Sequence, residues 1–157
     1  MLEKNFIEGY YSNFVDINGE RRVGVLCILL TNGTYKVDGW QYDINGNEFV
    51  SWSSIMSSFD GTELKYLYLA SFRDNTIEKY GYSALKFLRE EPNLPPIAYR
   101  GTFSDIGDSK NIVTTFNGNR QDSNFIKKYL NNPRSAIRLL VNPRSAIRLL
   151  VEDDDEA

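Results

Sequence analysis

The sequence contains no histidine and only one cysteine among its 157 residues. Without histidine there is no Ser-His-Asp triad, no imidazole general base and no histidine-ligated metal site. Cys27 cannot form a disulfide within the chain, and its place in an apolar run indicates a buried thiol in a reducing compartment. We therefore expect a cytoplasmic protein that uses neither a metal ion nor a cofactor.

Long apolar runs are also missing. The longest one, residues 25–30, is far shorter than the roughly 20 residues that cross a bilayer as a helix. Residues 1–5 lack the charged and apolar regions of a signal peptide. The sequence therefore predicts a soluble chain without a transmembrane segment.

Basic residues do not exceed acidic ones. The chain has 18 Lys and Arg against 21 Asp and Glu, a net charge of −3, whereas a general DNA or RNA binder usually has the opposite balance. No phosphate-binding glycine loop, C-x-x-C or H-E-x-x-H motif is present. We expect neither nucleic-acid binding nor enzymatic activity, and we assign no catalytic residue. Apolar residues at 41% and aromatic residues at 13% instead predict one ordered globular domain.

Turn signals are frequent. Asn-Gly, which suits both central positions of a type I′ hairpin turn, occurs at residues 18–19, 32–33, 45–46 and 117–118. Residues 60–61, 73–75 and 106–108 mark three more turns. The segments between them favour strands. The predicted strands are residues 6–16, 22–31, 34–43, 48–53, 63–72, 76–88, 97–105 and 111–116. Eight short antiparallel strands predict an all-β, up-and-down barrel.

A Gly-x-aromatic motif recurs in three of these segments. It ends at Tyr11, Tyr35 and Phe103. Because residues two apart share a strand face, the glycine relieves crowding where the barrel bends and the ring fills the interior beside it. We therefore predict that these three rings line the interior.

The pattern changes towards the C-terminus. Residues 89–96 form a polar, proline-rich loop, and Asp122 or Ser123 caps a predicted helix. Residues 132–141 are repeated letter for letter as residues 142–151, each copy with an Asn cap, Pro at the first helical position and an apolar helical face. An acidic end follows. We therefore divide the chain into a barrel, residues 1–121, and a helical tail, residues 122–157.

Aromatic rings and a few polar groups predict binding of a small ligand. Barrels of about eight strands can hold one small ligand at a mouth. Aromatic rings can stack on bases, and Arg, Lys and Ser can take phosphates. The predicted ligand-binding residues are Arg100, Trp52, Tyr68, Tyr82, Ser54, Lys86, Tyr11 and Tyr35. Arg100 is the expected phosphate contact, because its planar guanidinium group can form two hydrogen bonds to an anion and supplies a local positive charge in a protein of negative net charge.

Four sequence runs carry a resemblance to a known family. They are Gly9-Tyr10-Tyr11, Gly33 to Tyr42, Ser51 to Ile55 and Leu64 to Tyr68. Over roughly residues 5–118 the chain resembles the β-strand-rich sensor domain of bacterial CBASS antiphage effectors. The resemblance implies an eight-stranded barrel that binds a cyclic dinucleotide and, in full-length relatives, drives effector assembly and damage to the inner membrane. The two transmembrane helices of that family have no counterpart in this sequence.

Two other functions remain open. A lipocalin-like carrier of an apolar ligand predicts a dry pocket without phosphate dependence. A structural or adaptor barrel predicts an interior filled by its own side chains. The sequence also leaves open whether the chain forms a homo-oligomer.

Overall fold

The computed structural model describes residues 7–73, 78–106 and 113–141, which form eight strands followed by two helices. The strands are β1 (Gly9–Ile17), β2 (Glu20–Thr31), β3 (Thr34–Tyr42), β4 (Glu48–Phe59), β5 (Glu63–Phe72), β6 (Glu78–Leu88), β7 (Ala98–Asp105) and β8 (Thr114–Arg120). The helices are α1 (Ser123–Asn131) and α2 (Pro133–Val141).

Every strand pairs antiparallel with the next one along the chain, and β8 pairs back with β1. In that closing pair, Tyr11 lies opposite Arg120 and Phe14 lies opposite Asn117. The result is a closed up-and-down barrel, as the strand pattern predicted. Closure matters because an open sheet would leave two rows of unpaired backbone groups at its edges.

The first two Asn-Gly pairs form the predicted hairpin turns. Asn18 and Asn32 both have φ of 53°, and the glycine after each has φ of 80°, as a type I′ turn requires. The third pair also turns the chain, but there only Gly46 has a positive φ. The Asp43 carboxylate stabilises that turn by accepting the backbone N–H groups of Asn45 and Asn47.

Two strands depart most from the prediction. Strand β4 runs to Phe59, beyond the predicted end at residue 53, because a bulge between Ser54 and Met56 breaks the alternation of its side chains. Strand β8 contains Asn117-Gly118, so the prediction of a turn there was wrong. The predicted turns at residues 73–75 and 106–108 and the predicted start of the last strand extend outside the described residues.

One hydrophobic core lies inside the barrel. Tyr11, Leu26, Leu64 and Tyr99 are among its fully or almost fully buried members. The prediction for the three Gly-x-aromatic rings is confirmed. Tyr11 is buried in this core, while Tyr35 and Phe103 are half-buried and pack against it.

A second core lies outside the barrel, where the helices cover β2 and β3. Ile137 is fully buried there among Val23, Val25 and Tyr42. The predicted caps are present: Asp122 accepts the N–H of Phe125 at 3.0 Å, and Asn132 accepts the N–H of Ser135 at 3.2 Å. The second copy of the repeat, residues 142–151, lies outside the described residues.

Candidate functional site

A cavity of about 470 Å³ opens at one end of the barrel. This end carries the β1–β2 and β3–β4 hairpins, whereas the β2–β3 and β4–β5 turns lie at the opposite end. The volume falls in the range that suits one small ligand. The cavity is lined by Asn13, Val15, Asp16, Ile17, Asn18, Arg22, Gln41, Phe49, Val50, Trp52, Tyr66, Tyr68, Ala70, Phe72, Lys79, Phe103, Ser104, Asp105, Thr114 and Phe116.

Inward-facing glycines hold the aromatic walls of this cavity in place. Each faces a ring directly across the strand ladder. The pairs are Gly39 with Trp52, Gly81 with Tyr68, Gly101 with Phe116 and Gly118 with Tyr99. Any side chain on these glycines would collide with the ring: a Cβ on Gly81 would lie 2.0 Å from Tyr68 Cζ. The rings can therefore lie across the backbone instead of filling the centre of the barrel.

Two tyrosines give the cavity wall a polar component. Tyr68 donates its hydroxyl hydrogen to Asp105 Oδ1 at 2.9 Å. Burial, and next the charge of Asp105, hold the pKa of Tyr68 well above its usual value. Burial raises the pKa of Tyr66 to about 12. Both phenols therefore stay protonated at neutral pH, and the single hydroxyl hydrogen of Tyr68 is already donated to Asp105.

Two cations line the cavity, and each lies against a phenyl ring. The Arg22 guanidinium is 3.7 Å from the centroid of Phe49, and the Lys79 ammonium is 5.7 Å from that of Phe72. Arg22 also contacts Glu20 at 3.2 Å. Phe49 and Phe72 belong to the neighbouring strands β4 and β5, so the two cations flank one aromatic section of the wall.

The carboxylates Asp16 and Asp105 line the same cavity, so its formal charges balance. Arg21 contacts Asp16 at 3.3 Å, and Tyr68 donates to Asp105. Arg21 offsets the charge of Asp16, whereas the neutral Tyr68 hydroxyl leaves Asp105 charged. An anionic ligand at Arg22 and Lys79 therefore approaches two cations in the presence of one carboxylate that no cation of the described residues offsets.

The structure divides the predicted ligand-binding residues between the two faces of the barrel wall. Trp52 and Tyr68 line the cavity. Tyr11, Tyr35 and Ser54 also face inward, but none of them lines it. Tyr82, Lys86 and Arg100 lie on the outer face. The eight residues therefore do not form one site.

The three inward residues that lie away from the cavity have structural contacts. Ser54 Oγ accepts the N–H of Val37 at 2.9 Å, close to the bulge in β4. The hydroxyl of Tyr11 donates to the carbonyl of Ile7 and accepts from Arg120. Tyr35 packs edge-on against Phe59, with ring centroids 5.4 Å apart.

The three predicted residues on the outer face lie on the neighbouring strands β6 and β7. Lys86 and Arg100 face each other directly in the ladder and border a shallow groove of about 440 Å³. Tyr82 is 46% exposed on the same strand as Lys86. Arg100 separates the inward residues Tyr99 and Gly101, so its side chain points away from the cavity.

Sequence reasoning missed Arg22, Gln41, Lys79 and Asp105 as lining residues. Strand alternation does not identify Arg22 as an inward residue, because β2 is buried on both faces over residues 23–28. Its inner face packs in the barrel, and the outer face at Val23 and Val25 packs under the helices. An apolar run without alternation does not reveal which polar residue at its end turns inward.

Comparison with protein-family models found no match, and comparison with the sequences of curated proteins found none either. Within the described residues, no helix combines the length and the apolar character needed to cross a membrane. The same part of the chain brings together no group of three Cys, Asp or Glu side chains that is suited to a metal ion. The cavity is therefore interpreted from its own residues.

Proposed function

We propose that the barrel is a non-enzymatic sensor that binds a cyclic dinucleotide in the open cavity. The observation that carries this proposal is the pairing of an aromatic wall with two cations that flank it, Arg22 and Lys79. A base stacks on the rings, and the phosphates lie towards the cations. The net charge of −3 makes such local cations necessary for an anionic ligand.

The polar side chains of the cavity wall favour a cyclic dinucleotide over the apolar ligand of a lipocalin-like carrier. Asn13, Gln41 and Asp105 line the cavity; Asn13 and Asp105 bond tyrosines, whereas the Gln41 amide has no hydrogen-bond partner in the described residues, which a dry ligand would leave uncompensated. An adaptor barrel was predicted to have an interior filled by its own side chains, which does not agree with an open cavity of about 470 Å³. A role in bacterial antiphage defence rests on the resemblance of the strand motifs alone. The buried thiol of Cys27 supports a cytoplasmic location for the sensor.

Calorimetric titration and thermal unfolding with cyclic di-AMP, cyclic di-GMP and cyclic GMP–AMP test the proposal. A ligand at 100 times its dissociation constant stabilises the folded state by about 2.7 kcal/mol, which raises the melting temperature measurably. If none of the three binds and none shifts the melting temperature, the sensor function is wrong. Binding of an apolar dye alone would support the carrier.

Variants locate the ligand on the barrel. Arg22→Gln and Lys79→Gln should each weaken binding about 10-fold to 150-fold, the equivalent of one charged hydrogen bond of roughly 1.5–3 kcal/mol. Lys86→Gln and Arg100→Gln are matched controls, since they remove the same charges from the outer face. If the outer variants weaken binding and the cavity variants do not, the ligand binds elsewhere.

A further inference from the structure

The carboxamide of Gln41 is the most unusual polar group in the cavity. Gln41 lies on β3 opposite the inward-facing Gly24 and Val50, so its side chain also points into the barrel. Only 8% of the residue is exposed, and it lines the cavity. Within the described residues its amide makes no hydrogen bond to the protein, and its polar atoms are not sealed from the cavity. The amide therefore faces the space that a ligand would occupy.

Asn13 shows what a structural carboxamide looks like in the same cavity. Its amide nitrogen donates to Tyr99 Oη at 3.0 Å, so it links β1 to β7 across the interior. Gln41 makes no such link. Because the Gln41 amide has no protein partner among the described residues and its polar atoms are open to the cavity, it can hydrogen-bond a ligand there in place of water.

We propose that Gln41 reads the hydrogen-bonding edge of a purine base inserted into the cavity. This inference rests on the proposed function and specifies the ligand of that site. A carboxamide presents a donor beside an acceptor, and adenine presents its N6 donor beside the N7 acceptor, so the two pair through two hydrogen bonds. Guanine presents the same pattern on its Watson–Crick edge, where the O6 acceptor lies beside the N1–H donor, so either purine can pair with the amide. A carboxylate, by contrast, matches only the adjacent N1–H and N2–H donors of guanine.

The surroundings of Gln41 suit a flat base. Gly39, two residues earlier on the same face of β3, carries the Trp52 indole across its backbone. Trp52 and Tyr68 have ring centroids 6.4 Å apart, and both line the cavity. An inserted base can therefore meet an aromatic surface and the Gln41 amide together. The cavity suits one base with its sugar, which leaves the phosphates near Arg22 and Lys79.

Titration of four proteins with cyclic di-AMP and cyclic di-GMP tests this assignment. The wild type should bind at least one of the two ligands. Gln41→Leu should lose about 5-fold to 150-fold of that affinity, the equivalent of one bidentate base contact. Gln41→Glu, which offers two acceptors, should shift the preference towards cyclic di-GMP relative to the wild type. Gln121→Leu is the matched control, because Gln121 bonds Ser12 outside the barrel and should leave both affinities unchanged.

The outcomes separate this inference from the proposed function. If the wild type binds either cyclic dinucleotide and Gln41→Leu binds it equally well, the assignment of Gln41 is overturned while the sensor function stands. An unchanged ratio of the two affinities in Gln41→Glu also overturns it. If the wild type binds no cyclic dinucleotide, the sensor function itself fails, and this inference fails with it.

Stability provides an independent check. An amide without a protein partner should leave the melting temperature of Gln41→Leu equal to or above that of the wild type. A strongly lowered melting temperature would assign the amide a structural role and overturn the inference. Gln41→Glu provides the binding readout if Gln41→Leu fails to fold.

Discussion

The Trp52 indole lies across the backbone of Gly39 on the neighbouring strand. A Cβ atom on residue 39 would lie 2.2 Å from Trp52 Cε2, much closer than any van der Waals contact. The backbone of Gly39 does not have a positive φ, so its conformation alone would accept alanine. The glycine is therefore required by the ring, and the ring forms part of the cavity wall.

Replacing this glycine tests the relationship. At a compatible backbone, Gly→Ala normally stabilises a protein by about 0.4–1 kcal/mol. We expect Gly39→Ala instead to lower the free energy of unfolding by about 1–3 kcal/mol, because the new methyl group must displace the indole. Urea denaturation and tryptophan fluorescence measure the loss and the displacement. In a Trp52→Leu background the same substitution should be neutral or stabilising, and an equal loss there would contradict the steric explanation.

The contact between helix and barrel can be tested at Ile137. This side chain is fully buried in the outer core, so Ile137→Ala should lower the free energy of unfolding by about 2–5 kcal/mol. Leu130→Ala on α1 is the control. Leu130 is 63% exposed, and its truncation should change stability by no more than about 0.5 kcal/mol. Similar losses in both variants would argue against a specific outer core.

Buried tyrosines should make stability depend on alkaline pH. Burial raises the pKa of Tyr11 and of Tyr66 to about 12, above the usual value near 10. The folded state therefore disfavours tyrosinate. The stability from these groups is fully present below about pH 10 and is lost as the pH rises towards 12. Urea unfolding at a series of alkaline pH values measures this loss. Tyr66→Phe should make the decline shallower, and an unchanged decline would exclude Tyr66 as a source.

The second copy of the repeat should be dispensable for folding. The barrel closes through β8 and β1 at Arg120, and the outer core already contains Phe125, Tyr129 and Ile137 from the two described helices. A chain lacking residues 142–157 should therefore remain soluble and melt within a few degrees of the full chain. Deletion of residues 132–157 should lower the melting temperature strongly, because it also removes α2 and uncovers Val23 and Val25. Equal damage from both deletions would show that the second copy is needed.

Short-range signals were enough to predict most of the architecture. Asn18-Gly19 and Asn32-Gly33 form type I′ turns because their φ preferences act within two residues. Asp122 caps α1 through a hydrogen bond that spans three residues. The prediction failed at Asn117-Gly118, where the same two letters lie within β8. There a Cβ on Gly118 would lie 2.2 Å from Tyr99 Cζ, so the glycine accommodates a ring from another strand.

The candidate site depended on contacts that no local pattern contains. Tyr68 and Trp52 were predicted as ligand residues from their type, but Arg100 and Lys86 were assigned to the same site although they lie on the outer face. Strand alternation shows which residues share a face, and it does not show which face points inward. Which face of each strand points inward is determined by the pairing of β8 with β1, which closes the barrel, and by the helices, which cover the outer face of β2. Turn chemistry and capping act over a few residues and can be read along the chain, whereas the cavity exists only where distant strands bring glycines, rings and cations into register.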